Sequence, residues 1–245
     1  MKKCILLLIA TLTVSSPVMS AQMKTFRYNQ AANAQNVMNM AEISFSPLYT
    51  NQIFDRYTTT LRMKAFSLNF AQARPILDVY PAQPLYLQYG MKLQYTHHLN
   101  EDRDDVNLNG TFLSGGFKVV TSYLTAKAPV NLTYLFKIPQ TNLSFMPYTG
   151  MHMLLHIVGR QKDTEWTSVN GDKGTKTETK LLFKDEDMGG NACNRFGIGW
   201  QVGARLAYDN LLFGLGYEGD LLNLQKADDY KVKMSQVNIS LGIMF

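Results

Sequence analysis

The sequence predicts an all-β protein folded as an antiparallel up-and-down transmembrane β-barrel of eight strands. Three observations lead to this prediction. The amino terminus has the layout of an export signal, long segments of the chain alternate between apolar and polar residues, and the last such segment keeps an apolar face as far as the final residue. Alternation with a period of two is typical of strands, because successive side chains of a strand point to opposite faces.

Residues 1–21 are predicted to be a secretory signal peptide. Lys2 and Lys3 precede a short apolar run, which is followed by a stretch of small residues, and this order is typical of such signals. The apolar run is too short to cross a bilayer as a helix, which needs ~20 residues. We expect cleavage near Ala21, with a cut after Ser20 as the alternative.

Residues 22–40 are polar and are expected to form a periplasmic lead-in, so the barrel itself is assigned to residues 41–245. Loss of the two signal lysines lowers the formal net charge from +5 to +3. The basic residues are scattered, which argues against nucleic-acid binding. Once the signal is removed, the sequence retains one cysteine, Cys193, so no intramolecular disulfide is expected. No cofactor is expected either.

The first half of the expected barrel contains four strands. Ala41–Tyr49 alternates and contains Pro47, which suits a strand end. In Leu61–Phe70 the apolar residues change face in the middle, and we expect a β-bulge near Ala65 to reconcile the two halves. The next two strands alternate more clearly: they are Leu85–Thr96 and Tyr123–Phe136.

The second half contains four more strands, and its alternation sets the direction of the faces. These strands are Leu143–Leu155, Phe196–Tyr208, Leu211–Asp220 and Val237–Phe245. In most of them one face is bulky and apolar, whereas the other is made of glycine, amide and charged residues. A soluble barrel places its bulky apolar residues inside, whereas a membrane barrel turns them to lipid and fills a narrow interior with smaller and polar ones. A count of ten strands is the alternative.

The last strand is expected to close the barrel by pairing with the first. Its apolar face consists of Val237, Ile239, Leu241, Ile243 and Phe245. On a soluble edge strand, this face and an open hydrogen-bonding ladder would both be exposed. In a closed membrane barrel the ladder is paired and the apolar face contacts lipid.

The connections between the expected strands agree with a membrane barrel, in which short periplasmic turns alternate with long outer loops. The short links are Lys137–Asn142 and Tyr208–Asn210, and the long ones are residues 97–119 and 157–195. An even number of strands then places both ends of the barrel in the periplasm.

Four charged residues fall on the predicted inward face: Lys92, Arg205, Glu218 and Asp220. Buried charges need partners, so we expect a polar network across the lumen, with Arg205 near Glu218 across two neighbouring strands. Side chains of this kind fill the interior of an eight-stranded barrel. A general diffusion pore is therefore not expected.

Three residues at the start of a predicted loop are weak candidates for a metal site. His97, His98 and Asp102 lie close together in sequence, and imidazole and carboxylate groups bind divalent cations. The same run is also typical of a solvated loop tip, and we expect no metal.

Two further histidines, His152 and His156, share one strand face because their spacing is even. We interpret them as structural histidines. A catalytic set of Ser168, His156 and Asp163 can be drawn near the outer rim, but nothing in the surrounding sequence selects these residues. We therefore expect no enzyme activity.

Six segments of the expected strands carry a resemblance to a known group: Tyr86–Tyr95, Ala128–Tyr134, Pro147–Gly150, Phe196–Trp200, Gly214–Tyr217 and Gly242–Phe245. With these segments the chain resembles the small outer-membrane β-barrel family typified by PorT-like proteins, which is related in shape to OmpX-like and OmpA-like barrels. The resemblance implies an outer-membrane location and no shared catalytic residues. It also allows a role as a narrow transport or secretion accessory.

The sequence thus favours an integral outer-membrane barrel with a structural, adhesive or assembly role. Its expected partners are outer-membrane lipid, the barrel-assembly machinery, and a protein bound through residues 97–119 and 157–195. Two alternatives remain open: a narrow transport or secretion accessory, and a soluble periplasmic ligand-binding barrel whose faces are reversed.

Overall fold

The computed structural model describes most of the expected barrel. The described residues are 37–54, 57–80, 83–108, 111–169, 172–184, 186–187, 192–224 and 230–245. The expected signal peptide and nearly all of the expected lead-in lie outside them. Met38 to Met40, which we assigned to the lead-in, already belong to the first strand.

The described residues form ten strands in one sheet. Their bounds are β1 Met38–Phe54, β2 Tyr57–Tyr80, β3 Gln83–Leu108, β4 Thr111–Tyr134, β5 Phe136–Lys137, β6 Leu143–Val169, β7 Asp172–Leu181, β8 Phe196–Tyr208, β9 Leu211–Asp220 and β10 Tyr230–Met244. Across these residues, no helix has the length and apolarity needed to cross a membrane.

Eight of these strands close into a ring. The order of pairing is β4, β3, β2, β1, β10, β9, β8 and β6, and β6 pairs again with β4. Every pairing in the ring is antiparallel. The short strands β5 and β7 lie outside the ring and pair with β6. The prediction of a closed, up-and-down, eight-stranded barrel is therefore confirmed, and the last strand pairs with the first.

The strands are strongly tilted. A circuit of directly paired residues that starts at Leu155 on β6 returns to β6 at Phe145, ten residues away. A stagger of ten residues over eight strands corresponds to a tilt of roughly 40° from the barrel axis. All residues on this circuit are apolar: they are Leu155, Ala126, Leu93, Leu68, Ile43, Leu241, Phe213, Leu206 and Phe145.

An apolar belt surrounds the outside of the barrel, and β8 shows its full height. The outward side chains of β8 are Phe196, Ile198, Trp200, Val202, Ala204, Leu206 and Tyr208, and their exposed fractions reach 74% at Phe196. At the tilt given above, thirteen strand residues rise by roughly 30 Å, which is the thickness of the hydrocarbon core of a bilayer. The inward side chains of the same strand are small or polar and mostly buried.

The two ends of the barrel differ. At the lower end the chain termini of the barrel meet, because Asn39 and Phe245 exchange backbone hydrogen bonds of 3.0 and 2.9 Å. At the upper end four strands continue far above the belt and form what we call the outer sheet: β3 98–108, β4 111–123, β6 157–169 and β7 172–181. The prediction of long outer loops at 97–119 and 157–195 is therefore wrong for most of these residues, which are strand.

The β-bulge expected near Ala65 is also wrong. Pairing of β2 with β1 and with β3 runs through Ala65 without a shift of register. Met63 and Ala65 point inward and are buried, whereas Phe66 and Leu68 point outward. The apolar residues change face because Met63 lies above the belt, where it packs inside the upper end of the barrel.

The depth of the belt can be tested with one strand. Leu241 lies on the outward face in the middle of the belt segment of β10, and Ser235 lies on the same face above it. We expect Leu241→Arg to reduce the stability of the protein folded in lipid bilayers by about 2–4 kcal/mol, and Ser235→Arg to reduce it by no more than about 1 kcal/mol, because the cost of a lipid-facing arginine depends on depth. Denaturant titration in vesicles measures both values, and equal costs would contradict the position of the belt.

Candidate functional site

The interior of the barrel contains a network of charged side chains that reach across the lumen. Lys92 on β3 and Lys127 on β4 are direct cross-strand neighbours, and two like charges in that position repel one another. Glu218, on β9 across the lumen, accepts from both, at 2.5 Å from Lys92 Nζ and 2.7 Å from Lys127 Nζ. One carboxylate thus joins two lysines from the facing wall, and all three residues are buried.

Glu218 is held in place by two amide side chains of β10. Asn238 Nδ2 donates to Glu218 Oε1 at 2.7 Å, and Gln236 Nε2 donates to Oε2 at 2.8 Å. Gln236 is itself paired with Gln94 on β3, at 3.0 Å. Both carboxylate oxygens therefore have an ammonium and an amide donor, and this is the condition under which a buried charge is tolerated.

A second ion pair crosses the lumen below the first. Arg205 on β8 donates from Nε and Nη2 to the two oxygens of Glu42 on β1, at 2.8 and 3.0 Å. Its third contact is to Gln88 Oε1 at 3.1 Å, and its guanidinium lies 4.2 Å from the ring centre of Tyr148. Asn69 Nδ2 also donates to Glu42, at 2.8 Å. This bidentate geometry is the strong form of an arginine–carboxylate pair.

The expectation that Arg205 lies near Glu218 is wrong. In the pairing of β8 with β9, Glu218 lies opposite Gln201, and Arg205 lies opposite Gly214. The two charges are therefore separated by four residues along the strands, roughly 13 Å. Each finds its partner across the lumen instead of on the neighbouring strand.

The other predicted network residues take different places. Lys92 pairs with Glu218 as described, whereas Asp220 lies two residues above Glu218 and accepts a hydrogen bond from the backbone of Met234. Glu42 and Lys127 also belong to the network, although neither was predicted to do so. Both residues fall on the polar face of a predicted strand, and this position indicates that they point into the lumen. Their partners could not be predicted, because these lie on distant strands.

Apolar side chains close the interior at both ends. The lower cluster consists of Met38, Met40, Ala71, Ala73, Tyr86, Leu135, Met146, Ala207, Leu212 and Met244. The upper cluster consists of Met63, Tyr123, Leu182, Cys193, Leu224, Val232 and Met234, with Phe183 packed against it. The charged network lies between them, so it is shielded from water above and below.

Part of the upper cluster comes from a segment that folds back into the mouth of the barrel after β7. Leu182 N–H donates to Gly159 O at 3.1 Å, and Cys193 N–H donates to Leu182 O at 2.8 Å. Asn194 N–H then donates to Leu224 O at 2.6 Å. Cys193 is buried in this cluster.

Small cavities lie among the described side chains of the interior, and two of them border the charged network. The upper one has a volume of about 20 Å³ and is lined by polar groups that include Asp220, His156 and Gln94. The lower one has a volume of about 30 Å³ and lies beside the Arg205–Glu42 pair. A cavity needs a volume of roughly 10–15 Å³ to hold one water molecule. Each of these two cavities therefore has room for a few water molecules and for no larger solute.

The two inward histidines lie in this upper region. His156 Nδ1 is 2.8 Å from Thr125 Oγ1, and its ring stacks on Phe183 at 5.5 Å between centroids. His152 lies four residues lower on the same face of β6 and is buried. Ser168 is twelve residues from His156 along β6, roughly 40 Å away, and Asp163 instead pairs with Lys180 at 3.3 Å. The hypothetical catalytic set is therefore not assembled.

The weak metal candidates are not brought together either. His97 points outward beside Tyr95, whereas His98 Nδ1 lies 2.6 Å from the backbone oxygen of Arg62. Asp102 accepts a hydrogen bond from the backbone of Arg103 at 2.9 Å. Among the described residues, no group of three or more His, Cys, Asp or Glu side chains is placed to hold a metal ion.

The outer sheet carries a local ion pair of its own. Lys180 Nζ lies 3.3 Å from Asp163 and 3.7 Å from Glu178. The hydrogen bond to Asp163 and the charge of both carboxylates raise the pKa of the Lys180 ammonium. All three side chains are partly exposed, so these ion pairs contribute little to the stability of the fold.

No protein-family model matches the sequence, and no curated protein matches it. The structure is similar to Ail, the attachment invasion locus protein of Yersinia pestis, with 14% sequence identity, a TM-score of 0.33, and coverage of 84% of this chain and 99% of that chain. Neisserial surface protein A has 16% sequence identity and a TM-score of 0.34, with coverage of 85% of this chain and 97% of that chain. The N-terminal β-barrel domain of Pseudomonas aeruginosa OprF has 11% identity and a TM-score of 0.26, with coverage of 86% of this chain and 100% of that chain. At these TM-scores the similarities carry no argument, and the fold rests on the strand pairing described above.

The Arg205–Glu42 pair provides a test of the network. We expect Arg205→Leu to destabilise the barrel by about 3–5 kcal/mol, because it leaves Glu42 as an uncompensated buried charge. Thermal and denaturant unfolding of the folded protein in detergent measures this loss. The control is the double variant Arg205→Leu with Glu42→Gln, which removes both charges and should recover most of the stability. A single variant as stable as the original protein would contradict the role of the pair.

Proposed function

We propose that this chain is an integral outer-membrane β-barrel that is closed to solutes and serves a structural, adhesive or assembly role through its outer sheet. The observation that carries the proposal is the circuit of paired residues around the barrel, every member of which is an outward apolar side chain. A soluble barrel with this surface would expose a continuous apolar band to water, whereas in a bilayer the same band contacts lipid. The reversed arrangement of a soluble ligand-binding barrel is therefore not favoured.

Outer-membrane placement is supported by the closed ring itself. A sheet crosses a bilayer only when it has no open edge, because unpaired backbone groups have no partner in hydrocarbon. Barrels of this kind have short turns at one end and long extensions at the other. Here the turns near Tyr208 and Phe136 are short, whereas β3, β4 and β6 extend far above the belt.

The closed interior argues against transport. Apolar clusters fill both ends of the lumen, and the segment between them is crossed by the ion pairs of Glu218 and Arg205. A conducting path would require both ion pairs to separate and the segment around Leu182 and Cys193 to leave the mouth. The accessory transport role allowed by the PorT-like resemblance is thus the less favoured candidate.

The outer sheet supports an interaction role, because it ends in an open edge. Within the described residues β7 pairs with β6 alone. Leu182 N–H bonds to Gly159 O, and backbone groups alternate in direction along an antiparallel strand. The N–H groups of Thr175, Thr177 and Thr179 therefore point away from β6. An exposed edge of this kind can accept an added strand from a partner protein.

The class and location are tested by heat modifiability. The protein should fractionate with the outer membrane and migrate differently on SDS gels before and after boiling, because a closed barrel has no edge at which unfolding can start. Reconstituted protein should give no steady single-channel conductance. A soluble periplasmic protein without a gel shift would contradict the proposal, and steady conductance would favour the transport role.

The open edge gives a test with a matched pair of prolines. Thr177→Pro removes an N–H that points away from β6, so it should leave the hairpin intact while reducing capture of an outer-membrane or surface partner by at least tenfold. Glu178→Pro removes an N–H that points toward β6 and should disrupt the hairpin itself, which protease digestion of intact cells detects. Partner capture that is unchanged in Thr177→Pro would contradict binding through this edge.

A further inference from the structure

Six cations lie on the outside of the barrel above the apolar belt. They lie on three strands of the ring, point to the outside and are exposed. They are Arg62, Lys64, Arg160, Lys162, Lys231 and Lys233. We call these six residues the basic girdle. Each of them is an even number of positions above an outward apolar residue of the same strand, so it points to the same face as the belt. On β6 the count starts at Val158, because the pairing with β4 shifts register just below that residue.

The lowest girdle residues of β2 and β6 lie at the level expected for lipid headgroups. Lys64 is two residues above Phe66, and Arg160 is two residues above Val158. On a strand tilted by roughly 40°, two residues rise by about 5 Å, which is the depth of the headgroup layer on each side of the hydrocarbon core. Arg62 and Lys162 lie two residues higher on the same strands, and their long side chains can bend down toward this level.

Above the belt, the girdle cations and the neighbouring carboxylates lie on opposite faces of the extended strands. The described carboxylates of β6 and β7 that neighbour the girdle, Asp163, Glu165 and Glu178, lie on the opposite, inner face of the outer sheet, as the alternation of these strands requires. On the outer face Glu101 is already paired with Lys118, at 3.6 Å. Within the described part of the chain, no girdle residue has a carboxylate within salt-bridge distance.

The two ends of the belt differ in charge. Against the six girdle cations, the described side chains at the lower end include two cations, Arg74 and Lys137, and one carboxylate, Asp209. Arg74 also lies over the ring of Tyr89, at 6.0 Å. Positive charge is therefore concentrated at the end that carries the outer sheet, which the proposed function places at the cell surface.

We propose that the basic girdle binds the phosphate groups of phosphorylated lipid headgroups in the outer leaflet of the membrane. This inference rests on the proposed outer-membrane location. A lipid is favoured over a soluble anion because the girdle adjoins the belt: a phosphate held by Lys64 or Arg160 leaves the acyl chains of the same molecule against Phe66 or Val158. Arginine binds phosphate through two parallel hydrogen bonds, and lysine contributes a mobile point charge.

The test compares two double variants that lose the same net charge. Lys64→Gln with Arg160→Gln removes two girdle cations, whereas Lys176→Gln with Lys184→Gln removes two exposed cations elsewhere. Each protein is folded into nanodiscs of phosphatidylcholine, and binding of diphosphorylated lipid A and of its dephosphorylated form is measured. Folding is checked in the same samples by the gel shift on boiling.

We expect the original protein to prefer the phosphorylated lipid, and the girdle variant to bind it roughly 25-fold more weakly, since each cation near an anionic surface contributes about a fivefold factor. The control variant should bind as the original does, and binding should weaken as salt is added. Folded protein without a preference for the phosphorylated lipid, or a girdle variant that binds normally, overturns the inference.

Two further outcomes separate the sources of failure. If inorganic phosphate displaces the lipid completely, the girdle is a site for a soluble anion, and the assignment to lipid is wrong. If the protein does not enter the bilayer and shows no gel shift, the proposed function fails and the inference fails with it. Failure of lipid binding in a correctly folded barrel leaves the proposed function intact.

Discussion

The pairing of one carboxylate with two lysines sets the condition that the rest of the barrel must satisfy. Glu218 joins Lys92 and Lys127, which would otherwise repel each other on neighbouring strands. Such a group of charges is stable only where every hydrogen-bonding atom has a partner, because an unpaired buried charge is far more costly than a paired one. The amides of Gln236 and Asn238 supply those partners, so β10 must keep its register against β9 as well as close the ring.

This requirement explains how the interior is arranged from end to end. Ion pairs are strongest where water is excluded, and the apolar clusters at the two ends exclude it. The lower cluster is built from strand residues such as Met146 and Leu212, whereas the upper one needs Leu182 and Cys193 from a segment that folds back. The interior is therefore a packed core with a charged centre, and its filling is what separates this barrel from a channel.

The sequence predicted the ring, the location of most strands and the closing pair correctly, because alternation with a period of two is a local property. β8 was predicted to the residue. The partners of Arg205 and Glu218 were not predictable in the same way, since they lie three or four strands around the ring. Their distance depends on the stagger of ten residues, which no single segment encodes.

The errors at Ala65 and in the expected outer loops have one physical cause. Inside the belt, lipid fixes the outward face as apolar, so the pattern of the sequence can be read directly. Above the belt the outward face meets headgroups and water: Met63 turns inward to fill the mouth while Lys64 and Arg62 turn outward. The apolar face of β2 therefore changes sides at the level where the environment changes, without any break in strand pairing. An inversion of this kind in a continuous strand marks the edge of the membrane more sharply than a loop does, and the first cations beyond it are the groups best placed to meet the charged surface of the lipid.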